Sequence, residues 1–316
     1  MGTIKELIDE IEENLAIVRK HFLYGDSVNK IALSSLNQDS LAHSNDLEPD
    51  TNQQEDLSNL IEAWEWGIDN FPGFLDKKFV TFLSARINPT NYNYRSNTAR
   101  IKKEDGSFYV LSNPAKLEDE MNRLYQEVNS GQTHPVFLSS QLHLSFLLIH
   151  PFEDGNGRTS RLLQNLHLLN ENYPPVIINH NEKEEYLKLI QTANEGFSRR
   201  QGSQNMFGQR TKEENDFLEF LVKKISFSSK KLVEKISHLN MYEIDFDIKG
   251  PNKRICGVKK IISSAIRNRG LYCEIATSVS GNSLELVTCA SKAYLEGVMK
   301  KAKKSQKYIK GYQISS

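Results

Sequence analysis

His150-Pro151-Phe152-Glu153-Asp154-Gly155-Asn156-Gly157-Arg158-Thr159-Ser160-Arg161 separates two apolar runs, and the way it is read decides the fold. Upstream, Pro135 to Leu148 is almost continuously apolar, the pattern of a helix buried on every side. Pro151 would clash with a continuing helix, so the chain turns there. The apolar pattern resumes at Leu162, Leu163, Leu166, Leu168 and Leu169, and Pro174-Pro175 stop it. A helix, a tight loop with two glycines and a second helix are therefore expected. Backbone N–H groups and the positive end of the second helix's dipole converge on such a loop, making an anion site that suits phosphate.

The charged residues of the stretch fit that site. Arg158 and Arg161 are three apart, on adjacent turns of one helix face, and two guanidinium forks there can bind successive phosphates. Asp154 offers hard oxygen to a partly hydrated Mg²⁺ that bridges phosphates. His150, at the start of the loop, is placed to take a proton from an incoming hydroxyl. No G-x-x-x-x-G-K-[ST] stretch or strand-borne G-x-G-x-x-G competes for the nucleotide.

Working outward, residues 3–22 read as an amphipathic helix on Ile4, Leu7, Ile8, Ile11, Leu15 and Val18. A polar stretch over 34–54 precedes helices around Asp56–Ile68 and Phe79–Ile87. Tyr94, Ile101, Phe108, Tyr109 and Val110 flank Glu104-Asp105-Gly106, a hairpin signal. Further helices are expected over Pro114–Val128, Lys183–Ala193 and Lys212–His238. After residue 238 the rhythm changes. Glu243–Ile248 alternates like a strand, Val258–Arg267 looks helical, and Leu271–Val279 with Ser283–Ala290 forms a hairpin. A basic helix from Lys292 to Tyr308 is expected to close the chain. His143, two turns upstream of His150, pairs with nothing in the motif and reads as a core or surface histidine.

Composition is that of a globular protein: 316 residues, 38% hydrophobic and 25% charged, with a net charge of zero. The charge is unevenly spread, since residues 249–316 hold 14 Lys/Arg against 3 Asp/Glu. A polyanion partner, nucleic acid first, is the expectation for that tail, with Tyr308 and Tyr312 able to stack on bases. No apolar run is long enough to span a membrane, and the charged N-terminus lacks the pattern of a signal peptide, so a cytoplasmic setting is expected. Three scattered cysteines fit a reducing compartment.

The twelve-residue stretch resembles the signature of the Fic (Fic/Doc) family, H-x-F-x-[D/E]-G-N-G-R-x-x-R, at every specified position. The resemblance implies a protein adenylyltransferase that moves AMP from ATP, with Mg²⁺, onto a hydroxyl of a target protein. His150 would be the general base and Phe152 the anchor of the loop. Asp154 would bind Mg²⁺, and the Gly155-Asn156-Gly157 stretch would line the phosphates, Asn156 and Gly157 positioning their oxygens. Arg158 would hold the β-phosphate and Arg161 the γ-phosphate. The hairpin over 94–111 would be the flap that docks the target segment, and Tyr186 would flank the base. Ser44-Asn45-Asp46-Leu47-Glu48-Pro49 is similar to the family's inhibitory (S/T)-x-x-x-E-(G/N), except that Pro49 replaces Gly or Asn. Glu48 would pair with Arg161 and block productive nucleotide binding.

The expected architecture is mainly α. It comprises an N-terminal helical region with the inhibitory segment (1–90), a Fic-type core with a β-hairpin flap (91–238) and a small basic α+β domain (239–316). Rival chemistries are transfer of phosphate, UMP or phosphocholine, or de-AMPylation by the same site. A rival class is a nucleotide-sensing regulator that binds nucleic acid through its tail; an intact His150 argues for catalysis.

Overall fold

The computed structural model describes residues 2–20, 37, 39–47, 53–102, 106, 108–200, 209–237, 240–248, 255–269, 273–277, 283–288, 290–306 and 309–315. The chain divides into two compact units, Met1–Leu15 with Leu33–Lys230, and Ala16–Ala32 with Lys231–Ser316. The fold is mainly α, with a two-stranded hairpin in the first unit and an α+β arrangement in the second.

In chain order the elements of the first part are α1 (Gly2–Lys20), α2 (residues 39–46), α3 (Gln53–Asn70), α4 (Lys77–Ile87), β1 (Arg100–Lys102) and β2 (Phe108–Val110). Then come α5 (Leu117–Asn129), α6 (Pro135–Ile149), α7 (Asn156–Asn170), α8 (Lys183–Arg200) and α9 (Lys212–Ser237). The centre is α6 with α7. Pro135 sits in the first turn of α6, where a missing N–H costs nothing, and every residue from Leu138 to Ile149 is buried. Around this pair, Leu60 and Trp64 of α3, Phe79, Val80 and Leu83 of α4, and Met121 and Leu124 of α5 close one core with Leu142, Phe146, Phe152, Leu162 and Leu166. Local signals set the ends: Asp76 caps α4 by accepting from Phe79 N–H at 2.7 Å. β1 and β2 pair antiparallel with Arg100 opposite Val110.

The short helix α2 is seated in this core. Leu41 and Leu47 are buried, Ser40 Oγ donates to Val176 O at 3.0 Å, and Asn165 Nδ2 donates to Ser40 Oγ at 2.8 Å. Two polar anchors and two leucines thus fix a helix too short to hold itself in water.

The second unit runs β3 (Asn240–Ile248), α10 (Ile255–Arg267), β4 (Cys273–Thr277), β5 (Ser283–Thr288), α11 (Lys292–Ser305) and β6 (Ile309–Ser315). Its sheet has the order β4-β5-β3-β6 with all neighbours antiparallel, the split β-α-β arrangement. Tyr242, Ile244 and Phe246 of β3 turn inward onto Val258, Ile262, Leu295 and Met299 of the two helices. Glu243, Asp245 and Asp247 alternate outward, and Glu243 stands opposite Glu285. The closing element corrects the sequence-based expectation: α11 stops at Ser305 and a strand follows. Ile309 and Ile314 are buried, and β3 offers an unpaired edge that this segment completes from Ser315 opposite Glu243 to Ile309 opposite Ile248. Hydrogen bonding across the sheet, which no local pattern reveals, decides the strand.

Candidate active site

His150 caps α6. Its N–H donates to Phe146 O at 2.9 Å, and its backbone is left-handed, with φ 54° and ψ 61°. That conformation costs a non-glycine residue on the order of 1 kcal/mol and persists only where the surroundings enforce it. Arg95, 3% exposed, supplies the enforcement. Its Nε donates to His150 O at 2.7 Å, Nη1 to Asn97 O at 2.7 Å and Nη2 to Ser112 O at 2.6 Å. Its own N–H donates to Pro151 O at 2.8 Å. One guanidinium therefore ties the start of the loop to the chain just before β1 and just after β2, and puts positive charge at the negative end of α6.

The loop is closed from within. Phe152 is fully buried between Tyr94 and Phe146. Asn156 Oδ1 accepts from Phe152 N–H at 3.0 Å and Nδ2 donates to Phe152 O at 2.8 Å. The side chain expected to position phosphate oxygens is thus turned inward as a brace. What Asn156 offers an anion is its backbone N–H, in the first turn of α7, where intrahelical acceptors are lacking. Gly155 precedes it with φ 73°, and a Cβ there would lie 3.4 Å from Ile87 Cγ2. Asn91 Nδ2 holds Asp154 O at 2.8 Å and Asn88 Nδ2 holds Asp154 Oδ2 at 3.0 Å, so the turn after α4 supports the loop from outside.

Both arginines are buried and engaged. Arg158 donates from Nη1 to Asp56 Oδ1 at 2.6 Å and from Nη2 to Asp154 Oδ2 at 3.3 Å. Its Nε is buried and, among the described residues, has no hydrogen-bond acceptor. A buried cationic donor beside a helix N-terminus has the chemistry to take a phosphate oxygen. Arg161 donates from Nε to Ser44 Oγ at 2.7 Å, from Nη2 to Ser44 O at 3.0 Å and from Nη1 to Tyr186 OH at 3.3 Å. Ser44 belongs to α2, so the serine of the expected inhibitory segment meets the expected arginine. Glu48 lies outside the described residues.

At three residues the fold shows contacts that sequence reasoning did not give. Tyr186, expected beside the nucleotide base, is 1% exposed and packs among His143, Phe217 and Phe220. His143, read as a core or surface histidine unpaired with the motif, is in the core, and its bond to Tyr186 OH at 2.9 Å puts it one hydroxyl away from Arg161. Asp56 was missed. Glu55-Asp56 reads locally as ordinary first-turn acid on α3, and only the packing of α3 against α7 brings it to Arg158.

The carboxylate of Asp154 is 65% exposed, a usable hard ligand. Among the described residues no group of three or more His, Cys, Asp or Glu could hold a metal by itself. This donor set fits a cation carried chiefly by phosphate oxygens and water, as Mg²⁺ is, rather than a protein-caged metal. No helix among the described residues is long and apolar enough to cross a membrane.

Residues 75–168 match the family model for the Fic/DOC family. A protein adenylyltransferase Fic of Aedes aegypti is 44% identical over 91 residues, 28% of this chain and 18% of that protein. The protein of the same name from Drosophila mojavensis is 42% identical over 91 residues, with the same shares. The chain therefore spans less than a fifth of the length of these curated relatives. Among solved structures, the Fic-1 fragment of C. elegans superposes with a TM-score of 0.57 at 15% identity, over 74% of this chain and 72% of that one. A Fic-domain protein of Bacteroides thetaiotaomicron gives 0.54 at 21% identity, over 74% and 97%. At these identities the likeness is one of fold.

Proposed function

We propose that this chain, whose residues 75–168 match the Fic/DOC family model, transfers AMP from ATP to a hydroxyl side chain of a target protein. The observation that carries the proposal is the loop itself: a histidine at the rim and a buried arginine with an orphaned Nε beside the N-terminus of α7. In this reading the backbone N–H groups of the first turn of α7 and Arg158 take the phosphates. Mg²⁺ on the Asp154 carboxylate would neutralise charge on them. His150 accepts the proton of the incoming hydroxyl, whose oxygen attacks the α-phosphorus. The bond from that phosphorus to the bridging oxygen breaks and pyrophosphate leaves. Positioning and charge stabilisation supply the rate.

The Ser44–Arg161 bonds support a built-in restraint, because they occupy the side-on edge of the arginine that would hold the γ-phosphate. Glu48, four residues on, would add a carboxylate to that restraint. The β1–β2 hairpin, tied to His150 through Arg95, supports docking of the target segment by strand addition. In the second unit, Lys300, Lys301, Lys303 and Lys304 are exposed on α11 while the open sheet face is acidic. This favours a polyanion contact on the helical side alone, and a salt-dependent gel shift with the full chain tests it. A reducing, cytoplasmic setting suits the three scattered cysteines.

Mass spectrometry after incubation with ATP and Mg²⁺ tests the central proposal. An AMP adduct that is absent from His150→Ala and increased in Glu48→Gly is the expected result. A phosphate or UMP adduct (with UTP supplied) or removal of AMP from a modified target would replace the reaction. No adduct on any protein would sink it.

A further inference from the structure

A line of four buried side chains runs behind the loop: Gln164 of α7, His143 of α6, Tyr186 of α8 and Arg161 of α7. His143 is 0% exposed, with Nδ1 2.5 Å from Gln164 Oε1 and Nε2 2.9 Å from Tyr186 OH. The tyrosine oxygen is in turn 3.3 Å from Arg161 Nη1. A guanidinium can only donate. The tyrosine oxygen therefore accepts from Nη1, and its own proton goes to His143 Nε2. The imidazole then carries its hydrogen on Nδ1 and donates to Gln164 Oε1. One direction of donation satisfies all three links, and it requires a neutral ring. Burial pushes the His143 pKa down to about 3, with the charge of Arg161 acting the same way, so the ring stays neutral. Edge-on contacts with the rings of Phe217 and Tyr186 hold its plane.

The line ends on one corner of Arg161. Nη1 is held by the core helices, whereas Nε and Nη2 face Ser44 of α2. That second edge is the one that grips an anion with two parallel bonds. Resting on the adenylyl-transfer reading, we infer that His143 is a positioning residue. Through the Tyr186 hydroxyl it anchors Nη1 of Arg161, so that the Nε–Nη2 edge is presented either to Ser44 or to a nucleotide phosphate. Without an acceptor at His143 the Tyr186 O–H is free to rotate, its lone pair no longer points at Nη1, and the long arginine side chain samples other rotamers.

The test uses the full chain carrying Glu48→Gly as parent, with ATP and ADP binding measured by calorimetry and KM and kcat by AMP incorporation. Tyr186→Phe keeps the ring and its contacts with Phe217 and Phe220, so it is the variant least prone to misfold. Tyr186→Phe and His143→Phe should each weaken ATP binding about tenfold, the loss of one bond to a charged group. ADP binding should change much less, KM should rise and kcat should hold. The double variant should be no worse than Tyr186→Phe alone, because both cut one line. His143→Gln, whose Oε1 can accept from Tyr186, should recover most of the loss. Parent-like ATP binding in Tyr186→Phe, additive losses, or a fall in kcat alone would overturn the inference. A parent that binds ATP but transfers no AMP would instead sink the proposed function, with the binding arm still judging the relay.

Discussion

Arg95→Lys isolates the geometry of one guanidinium from its charge. Three carbonyl oxygens, on His150, Asn97 and Ser112, lie 2.6 to 2.7 Å from three different nitrogens of Arg95. A lysine has a single nitrogen and can reach one of them, so two charge-assisted bonds are lost and two carbonyls lose their guanidinium donor. At about 1.5 kcal/mol for each, the lower end for bonds to charged groups, the loss is about 3 kcal/mol. That is a large share of the roughly 5–15 kcal/mol that holds a domain folded. Urea unfolding followed by circular dichroism should show the midpoint falling by about 1 M, given a slope of about 2–3 kcal/mol/M. The left-handed His150 would relax as well. A shift of about 1 Å in a reacting group costs on the order of a hundredfold in rate. AMP incorporation, measured where the variant is still folded, should fall by that order. Arg95→Met, which keeps the stem and removes every donor, should be worse on both counts. A lysine variant with an unchanged midpoint and an unchanged rate would refute the clamp.

Two further expectations concern charge. Arg158 lies between Asp56 at 2.6 Å and Asp154 at 3.3 Å, so two carboxylates already oppose its charge where the proposed reading puts a phosphate. Asp56→Asn should tighten Mg²⁺–ATP binding by about 1 kcal/mol, or fivefold, at an interior-edge dielectric. It should also lower the melting midpoint, and unchanged or weaker binding in calorimetry would count against it. His143 contributes to acid sensitivity: burial holds its folded pKa at about 3, below the ordinary histidine value of 6.5. Between those values the unfolded chain binds the extra proton. This contribution to stability is therefore complete above about pH 6.5 and is lost, by at most about 1.4 kcal/mol per pH unit, as pH falls toward 3. Urea midpoints at about pH 7 and about pH 5 should differ less in His143→Phe than in the wild type, and an equal difference would contradict the assignment.

The residues of the loop were legible before any fold was known, because their constraints are local. Pro151 ends a helix wherever it falls, Gly155 permits the positive φ that starts the next one, and the types at His150, Asp154, Arg158 and Arg161 are those that phosphate chemistry needs. The helices around them were legible for the same reason, since an apolar period is a property of neighbouring residues. Who touches those side chains was not legible. Asp56 and Arg158 are 102 residues apart, Ser44 and Arg161 are 117 apart, and His143 meets Tyr186 across 43. Nor does the pattern of Ile309–Ser315 announce a strand until β3 presents an edge. A partner chosen at such distances depends on how helices pack, a sum over many weak contacts that no short window contains. The sequence alone determined what chemistry the loop can hold; the tertiary structure decided which side chains hold the loop's histidine and arginines in place.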